Sequence, residues 1–382
     1  VWSAASDVYK RQQIPALAIQ GTESLRTEIV VGGNPNETSG VFTEQQVVTG
    51  LLVINEIRQK KVLFVTGHSE RDVLDINEST SVGLAARALN RENYVVLVET
   101  LQELATRLAI GDPLEVPAVL VFSNPTQELL PIDQNALLEY ARSGGSIMFL
   151  LEPDDTPDTF KQFLSRYGVA VGDGEAADRA SYVGGNETFI QVKKSNQQLP
   201  PHPITDDFEV LYMPGVTHFG WTIDPASVPL VDDITPVVMQ AMLASTTLYS
   251  WSETDPDFIG FDQGVDIGGP LPIAVAVEAI GELAGGTYSD GESTISMNMV
   301  LIGDTDFATN NYFGSANNAD LFINSVNFLA KDVELISIRA KTEADRQMFL
   351  TKNERDFVRW SGWLLMPALV SIFGFWTWWR RR

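Results

Sequence analysis

Four apolar runs of strand length restrict this chain more than any other feature: KVLFVT (61–66), YVVLVE (94–99), PAVLVFS (117–123) and SIMFLL (146–151). A strand that is apolar on nearly every residue must be covered on both faces. Helices between successive strands provide that cover, so the pattern specifies a parallel sheet with right-handed crossovers. Residues 81–90 have helical spacing, 133–142 form an amphipathic helix stopped by Gly144 and Gly145, and a helix over 157–167 ends at Gly168. Two further buried strands, LPIAVAVE (271–278) and SMNMVLIG (296–303), precede a helix over 316–330. Residues 172–270 are richer in Gly, Pro, Asp and Asn, with short apolar pieces at 208–213 and 236–243, and read as irregular structure and edge strands.

The C-terminal end sets a second constraint. Residues 360–379, WSGWLLMPALVSIFGFWTWW, carry no charge and are followed by Arg380, Arg381 and Arg382. As a helix this run is about 30 Å long, the thickness of a bilayer core, and its tryptophans sit at the two ends where indoles favour the interfaces. The expected organisation follows from both ends of the chain. Residues 1–12 resemble a translated adapter scar and have no role in the fold. Residues 13–58 are the remnant of an N-terminal segment, with a hairpin (14–20 and 26–31) and a helix over 43–58 introduced by Thr43 and Gln46 at capping-box spacing. Residues 59–335 form the α/β domain, 336–359 a juxtamembrane helix, 360–379 a transmembrane helix and 380–382 a basic tail. Basic residues on both flanks, Lys352, Arg355 and Arg359 against the arginine tail, leave the orientation open on charge alone.

Charge and composition exclude several functions. The net charge is −24, and the residues before the apolar run carry −27, a surface that repels phosphate backbones; no nucleic-acid partner is expected. With no cysteine there is no disulfide, thiolate metal site or cysteine nucleophile. Neither GxGxxG nor GxxxxGK[ST] occurs, so no nucleotide cradle is present, and no cofactor is expected.

In open parallel sheets ligands bind beyond the carboxyl ends of the strands. The loops there hold Gly67, His68, Ser69 and Glu70; Ser123 and Asn124; Glu152; and Asp304 and Asp306. Their convergence would make a hydrolase or metal site, whereas the same residue types are what tight turns require. Neither Ser69 nor Ser123 has glycines on both sides as a nucleophile elbow demands, and the three histidines lack metal-ligand spacing, so no catalytic residue and no metal are assigned.

Several segments together resemble the GldG-like, gliding-motility-associated auxiliary family of ABC transport systems. They are VLFVTGHSE (62–70), LLEYARSGGSIMFLLEPD (137–154), HPIT (202–205), SWSE (250–253), GGPLPIAVAVE (268–278) and MVLIGDTDFATN (299–310), in that order, with the terminal apolar run. The resemblance implies an α/β domain that is flavodoxin-like or glutamine-amidotransferase-like, a mostly parallel sheet with helices on both faces, plus the C-terminal transmembrane helix. It also implies a non-enzymatic auxiliary component of the plasma (inner) membrane, with the large domain outside the cytoplasm, the tail inside, and an ABC permease and its ATPase as partners. It carries no catalytic residue across. The alternatives are a hydrolase-like enzyme or a ligand sensor using the loops at the sheet's carboxyl edge.

Overall fold

The fold was read from a computed structural model. It describes residues 16–20, 27–31, 59–110, 115–222, 230–232, 235–236, 238–255, 257, 259–280, 288–289, 292–293, 296–331, 376 and 378–381. The four apolar runs become β1 (Lys61–Thr66), β2 (Val95–Thr100), β3 (Val119–Ser123) and β4 (Ser146–Leu150). Together with β5 (Val238–Ser245), β6 (Pro272–Ile280) and β7 (Ser296–Ile302) they make one seven-stranded sheet in the order β5-β6-β7-β4-β3-β1-β2. The neighbours from β7 to β2 are all parallel. The pairs β5–β6 and β6–β7 are antiparallel.

Alternation along each strand divides the interior into two layers. Val62 and Phe64, Val119 and Val121, Met148 and Leu150, and Val300 and Ile302 join one core with α1 (Gly83–Arg91) and α5 (Asn318–Leu329). Leu63 and Val65, Leu120 and Phe122, Ile147 and Phe149, and Met299 and Leu301 join the other, with α2 (Leu101–Ile110), α3 (Pro131–Arg142) and α4 (Asp158–Ser165). Both faces are therefore dry, which is why the strands read as continuous apolar runs rather than as alternating ones. Phe122 and Phe149 stack at 4.9 Å on the second face, and burying side chains of this size is worth roughly 1.5–3 kcal/mol each.

Residues 271–278 form the buried strand expected there, and the structure adds its direction: β6 runs against both of its neighbours. A fully apolar run reports cover on both faces and carries no information on direction. Residues 172–270 are more ordered than expected. Besides the edge strand β5 they contain a three-stranded antiparallel sheet (182–183, 186–193, 210–214) and a second one that joins 175–178, 250–253 and 267–268. Ile190, Val192, Leu211 and Met213 of the first pack into the core beside α5. The short chain-initial runs pair as an antiparallel hairpin, Ala16 opposite Val31 through Gln20 opposite Thr27.

The helix expected over 43–58, the juxtamembrane helix and almost all of the apolar run 360–379 lie outside the described residues. Trp376 and residues 378–381 are helical. Among the described residues no helix is long and apolar enough to cross a membrane.

Gly303, at the end of β7, ties the segment that follows strand 210–214 to the large sheet. Its N–H donates to the Ile273 carbonyl (2.9 Å) and its carbonyl accepts the Thr217 N–H (2.7 Å), while a Cβ at this position would lie 2.1 Å from the Thr217 carbonyl oxygen. Because the obstacle is main chain on a buried strand end, Gly303→Ala should destabilise by about 1–3 kcal/mol. Denaturant unfolding of the pair measures it, and an unchanged midpoint would show that the 217 segment shifts aside freely.

Candidate functional site

The carboxyl ends of β1, β3, β4 and β7 meet along one edge of the sheet, and main-chain bonds continue the ladder beyond the strands. Arg71 N–H donates to the Ser123 carbonyl (2.9 Å), Asn124 N–H to Leu150 (2.8 Å), and Leu151 N–H to Ile302 (2.9 Å). The three loops turn through left-handed backbone at Ser69 (φ 61), Asn124 (φ 54) and Asp154 (φ 58), a conformation that side chains resist and that surrounding structure has to enforce. Gly67 (φ 116) begins the first of them, in a region open in practice to glycine alone.

The residues singled out from sequence fall into two groups. His68 and Glu70 close on themselves. Glu70 Oε2 accepts the His68 N–H (2.7 Å), its Oε1 lies 3.1 Å from His68 Nδ1, and His68 Nε2 lies 3.5 Å from Asp133 Oδ2 on α3. The imidazole also meets the Phe160 ring edge to face, and the His68 carbonyl accepts the N–H groups of Thr126 and Gln127. Ser69 Oγ accepts a hydrogen bond from the Gln127 side chain (2.7 Å). Burial alone would lower the His68 pKa; the hydrogen bonds and charges of Glu70 and Asp133 outweigh it and leave it raised above 6.5. This group ties the β1 loop to α3 and α4, and its histidine has both ring nitrogens engaged. Ser123 is buried with its hydroxyl toward the Arg71 carbonyl (3.5 Å), and the Asn124 amide reaches Asp155 (3.5 Å).

The second group surrounds a residue that the sequence reading passed over. Arg71 Nη2 lies 3.1 Å from Asp306 Oδ1 and 3.7 Å from Glu152 Oε1. Glu152 Oε1 also accepts the Thr305 N–H (3.0 Å), and the fully buried Asp304 accepts the Phe307 N–H through Oδ1 (3.2 Å) while its Oδ2 has no hydrogen-bond partner among the described residues. Two carboxyl groups, those of Glu152 and Asp306, thus face the Arg71 guanidinium, and the buried carboxyl of Asp304 interacts with both of them. Burial first, and then the charge of Asp306, pushes Glu152 from its ordinary 4.5 up to about 8, against the opposing pull of the Thr305 N–H and Arg71. Burial and the neighbouring Glu152 and Asp306 hold Asp304 well above the carboxylate range, and burial raises Asp306 despite Arg71. Carboxyls this close titrate as a set, and near neutral pH the set retains protons.

These groups line a cavity of about 490 Å³ between the sheet edge and the small sheet of residues 182–214. Arg71, Glu152 and Asp306 form its floor; Asp155, Glu175 and the aromatic pair Phe189 and Tyr312 complete the walls. Of the nine residues singled out beforehand, Glu152 and Asp306 line it, Asp304 stands behind them, and the others belong to the turns that support it. Arg71 follows Glu70 directly in the sequence, a cation in a loop of otherwise acidic and polar residues, and that contrast was the available signal. Glu175, Phe189 and Tyr312 arrive from distant segments with no local signature. Among the described residues no group of three or more His, Asp or Glu side chains is placed to hold a metal ion.

The comparisons with known proteins give the following. A family model described as ABC-type uncharacterized transport system matches residues 59–331. No curated protein matches the chain. Among solved structures, the N-terminal domain of mmIFT52 is similar at 14% identity and a TM-score of 0.47, covering 71% of this chain and 97% of its own. A ThuA-like protein from Bacteroides uniformis ATCC 8492 is similar at 14% identity and a TM-score of 0.39, covering 78% of this chain and 95% of its own.

The protonation state of the cavity floor has a measurable consequence. A carboxyl whose pKa is raised by folding holds a proton that the unfolded chain has already released, so stability falls as pH rises from its ordinary value of 4.5 toward about 8. The raised His68 acts in the same direction above 6.5. Thermal melts across this window should show a falling midpoint, with a slope of up to about 1.4 kcal/mol per pH unit for each such group. Glu152→Gln should flatten the slope, and an equal slope in the variant would place the linked protons elsewhere.

Proposed function

Because the chain belongs to the family of ABC-type uncharacterized transport systems over residues 59–331, we propose that it is a non-enzymatic, membrane-anchored auxiliary component of such a system. Its α/β domain works as a binding or coupling module outside the cytoplasm, the run 360–379 is the anchor, and the arginine tail lies inside. The ordered motifs from VLFVTGHSE to MVLIGDTDFATN favour the GldG-like branch of the family. Its partners are the permease and, through it, the ATPase, since this chain has no phosphate-binding loop with which to energise transport.

The observation that carries the non-enzymatic reading is the occupation of the reactive groups at the sheet edge. A hydrolase that works through a serine needs its hydroxyl within reach of a free base. His68, the one histidine on these loops, is locked between Glu70 and Asp133, and the buried Ser123 points to a main-chain carbonyl. One observation favours the hydrolase alternative: Glu152, with a pKa near 8 beside Asp306, has the protonation state of a general acid.

Mild-detergent purification of the full chain with the products of its neighbouring genes tests both readings. A permease and an ATPase should co-purify, and the isolated chain should not turn over esters, amides or glycosides. Recovery of the chain alone, with a hydrolytic activity that Glu152→Gln abolishes, would replace the auxiliary reading with the enzyme.

A further inference from the structure

We propose that a groove on the second small sheet, the one joining 175–178, 250–253 and 267–268, binds an apolar carboxylate, an aryl or acyl stem that ends in a carboxylate group. The groove has a volume of about 430 Å³ and shares no lining residue with the cavity at the carboxyl edge, so the proposal stands apart from the auxiliary reading.

The groove follows from one strand pairing. Trp251 stands opposite Ala177 on one side and opposite Gly268 on the other. Directly opposed residues of antiparallel strands share a face, so the missing side chain at Gly268 leaves the space beside the indole open. A Cβ there would meet nothing nearer than the Phe261 ring, at 4.0 Å. The indole is fixed, because Trp251 is buried and its Nε1 donates to Glu253 Oε2 (2.9 Å). Leu248 and Tyr249, 76% and 72% exposed on one turn, complete the walls with the half-exposed Phe261. Large apolar side chains gathered at one exposed place mark a site that takes an apolar partner. This half of the argument selects the stem.

The other half rests on Arg179, the one charged side chain among the described residues that line the groove. Its guanidinium lies 4.7 Å from the centre of the Trp251 ring, a stacking that holds the planar fork in place. Arg179 Nε reaches Glu187 Oε2 at 3.3 Å, and among the described residues neither of its Nη groups has a hydrogen-bond partner. A carboxylate accepts from two guanidinium N–H groups at once. The nearby acids are engaged elsewhere. Glu253 accepts the N–H groups of Trp251, Asp255 and Gly260, and Asp266 accepts the Asp262 N–H and the Thr254 hydroxyl. The remaining acidic surface acts on the groove only within a screening length of about 8 Å at physiological salt. An amine of the same shape would meet the guanidinium charge, and a neutral amide would forgo the paired charge-assisted bonds.

Isothermal titration of the full detergent-solubilised chain with phenylpropionate, against its amide and against phenylpropylamine, with detergent-only blanks, tests this. The carboxylate should bind at least about tenfold more tightly than the amide, and the amine more weakly still. Arg179→Gln should bring the carboxylate down to the affinity of the amide, and Arg179→Lys should restore part of the difference. Gly268→Val should melt as the parent does, since there is space for its side chain, and should weaken carboxylate and amide alike by about tenfold. Equal binding of carboxylate and amide to the parent, or a preference that survives Arg179→Gln, would overturn the anionic ligand. Binding unchanged in a folded Gly268→Val variant would overturn the groove as its site. No binding of any probe, or a dimer of the chain that Gly268→Val dissociates, would also overturn the proposal, the latter by assigning the groove to a second copy.

Discussion

Everything at the carboxyl edge depends on main-chain hydrogen bonds that outlast the strands. The bonds from Arg71 to Ser123, Asn124 to Leu150, Leu151 to Ile302 and Thr217 to Gly303 fasten each loop to the end of the neighbouring strand. Buried backbone groups must be paired, and these bonds pair them at the one place where the regular ladder runs out. The consequence is a set of loops whose course is determined by the sheet. Glu152, Asp304 and Arg71 are held by a frame that can carry left-handed backbone at Ser69, Asn124 and Asp154.

Rigidity of this kind permits an electrostatic arrangement that a mobile loop would relax. Three neighbouring carboxyls, of which Glu152 and Asp306 reach one guanidinium, cost free energy, because removing them from water disfavours ionisation and their mutual repulsion adds to the penalty. A flexible segment would turn its acids out to solvent. Here Glu152 is held by the Thr305 N–H and Asp304 by the Phe307 N–H, so the carboxyls stay inward and keep protons instead. The same backbone contacts that shape the cavity therefore set its protonation state. His68 illustrates the opposite outcome on the neighbouring loop, where Glu70 and Asp133 satisfy the ring and the group serves to clamp the β1 loop to α3.

How much of this was legible beforehand follows from which signals are local. The parallel strands were readable because two-sided burial writes itself into six or so consecutive residues, as in KVLFVT and SIMFLL. The helix Leu101–Ile110 was legible in principle, because Thr100 and Glu103 form a capping box in which Glu103 Oε2 accepts the Thr100 N–H (2.8 Å) and Thr100 Oγ1 accepts the Glu103 N–H (3.3 Å), but that signal begins on the last residue of β2 and merges with the strand. The reversal of β6 left no trace, since direction is decided by where the connections run. At the site, the loops were found from strand ends alone, and Glu152, Asp304 and Asp306 were among the residues named. Arg71 carries no nucleophilic or acid–base signature in the sequence, because its role is to be the cation shared by acids more than eighty positions away, Glu152 and Asp306. The far wall, Glu175 and Phe189 and Tyr312, is assembled by tertiary structure and could not be seen in any window of the sequence.

The positions of the two ends of the domain give the cavity a direction. In a parallel sheet the strands begin on one edge and finish on the other, so β1 starting at Lys61 places residue 60 on the edge opposite the cavity. Helix α5 follows β7 and packs back along β4 and β7, returning the chain to that same edge, where the Lys60 ammonium donates to the Ala330 carbonyl (2.6 Å). Residues 60 and 330 therefore stand side by side, across the full strand length from Arg71 and Glu152. If the anchor lies in the C-terminal apolar run, as proposed above, its tether emerges from one pole and the acidic cavity opens at the other. A domain tied at one pole can tilt as a unit without distorting the loops at the far pole.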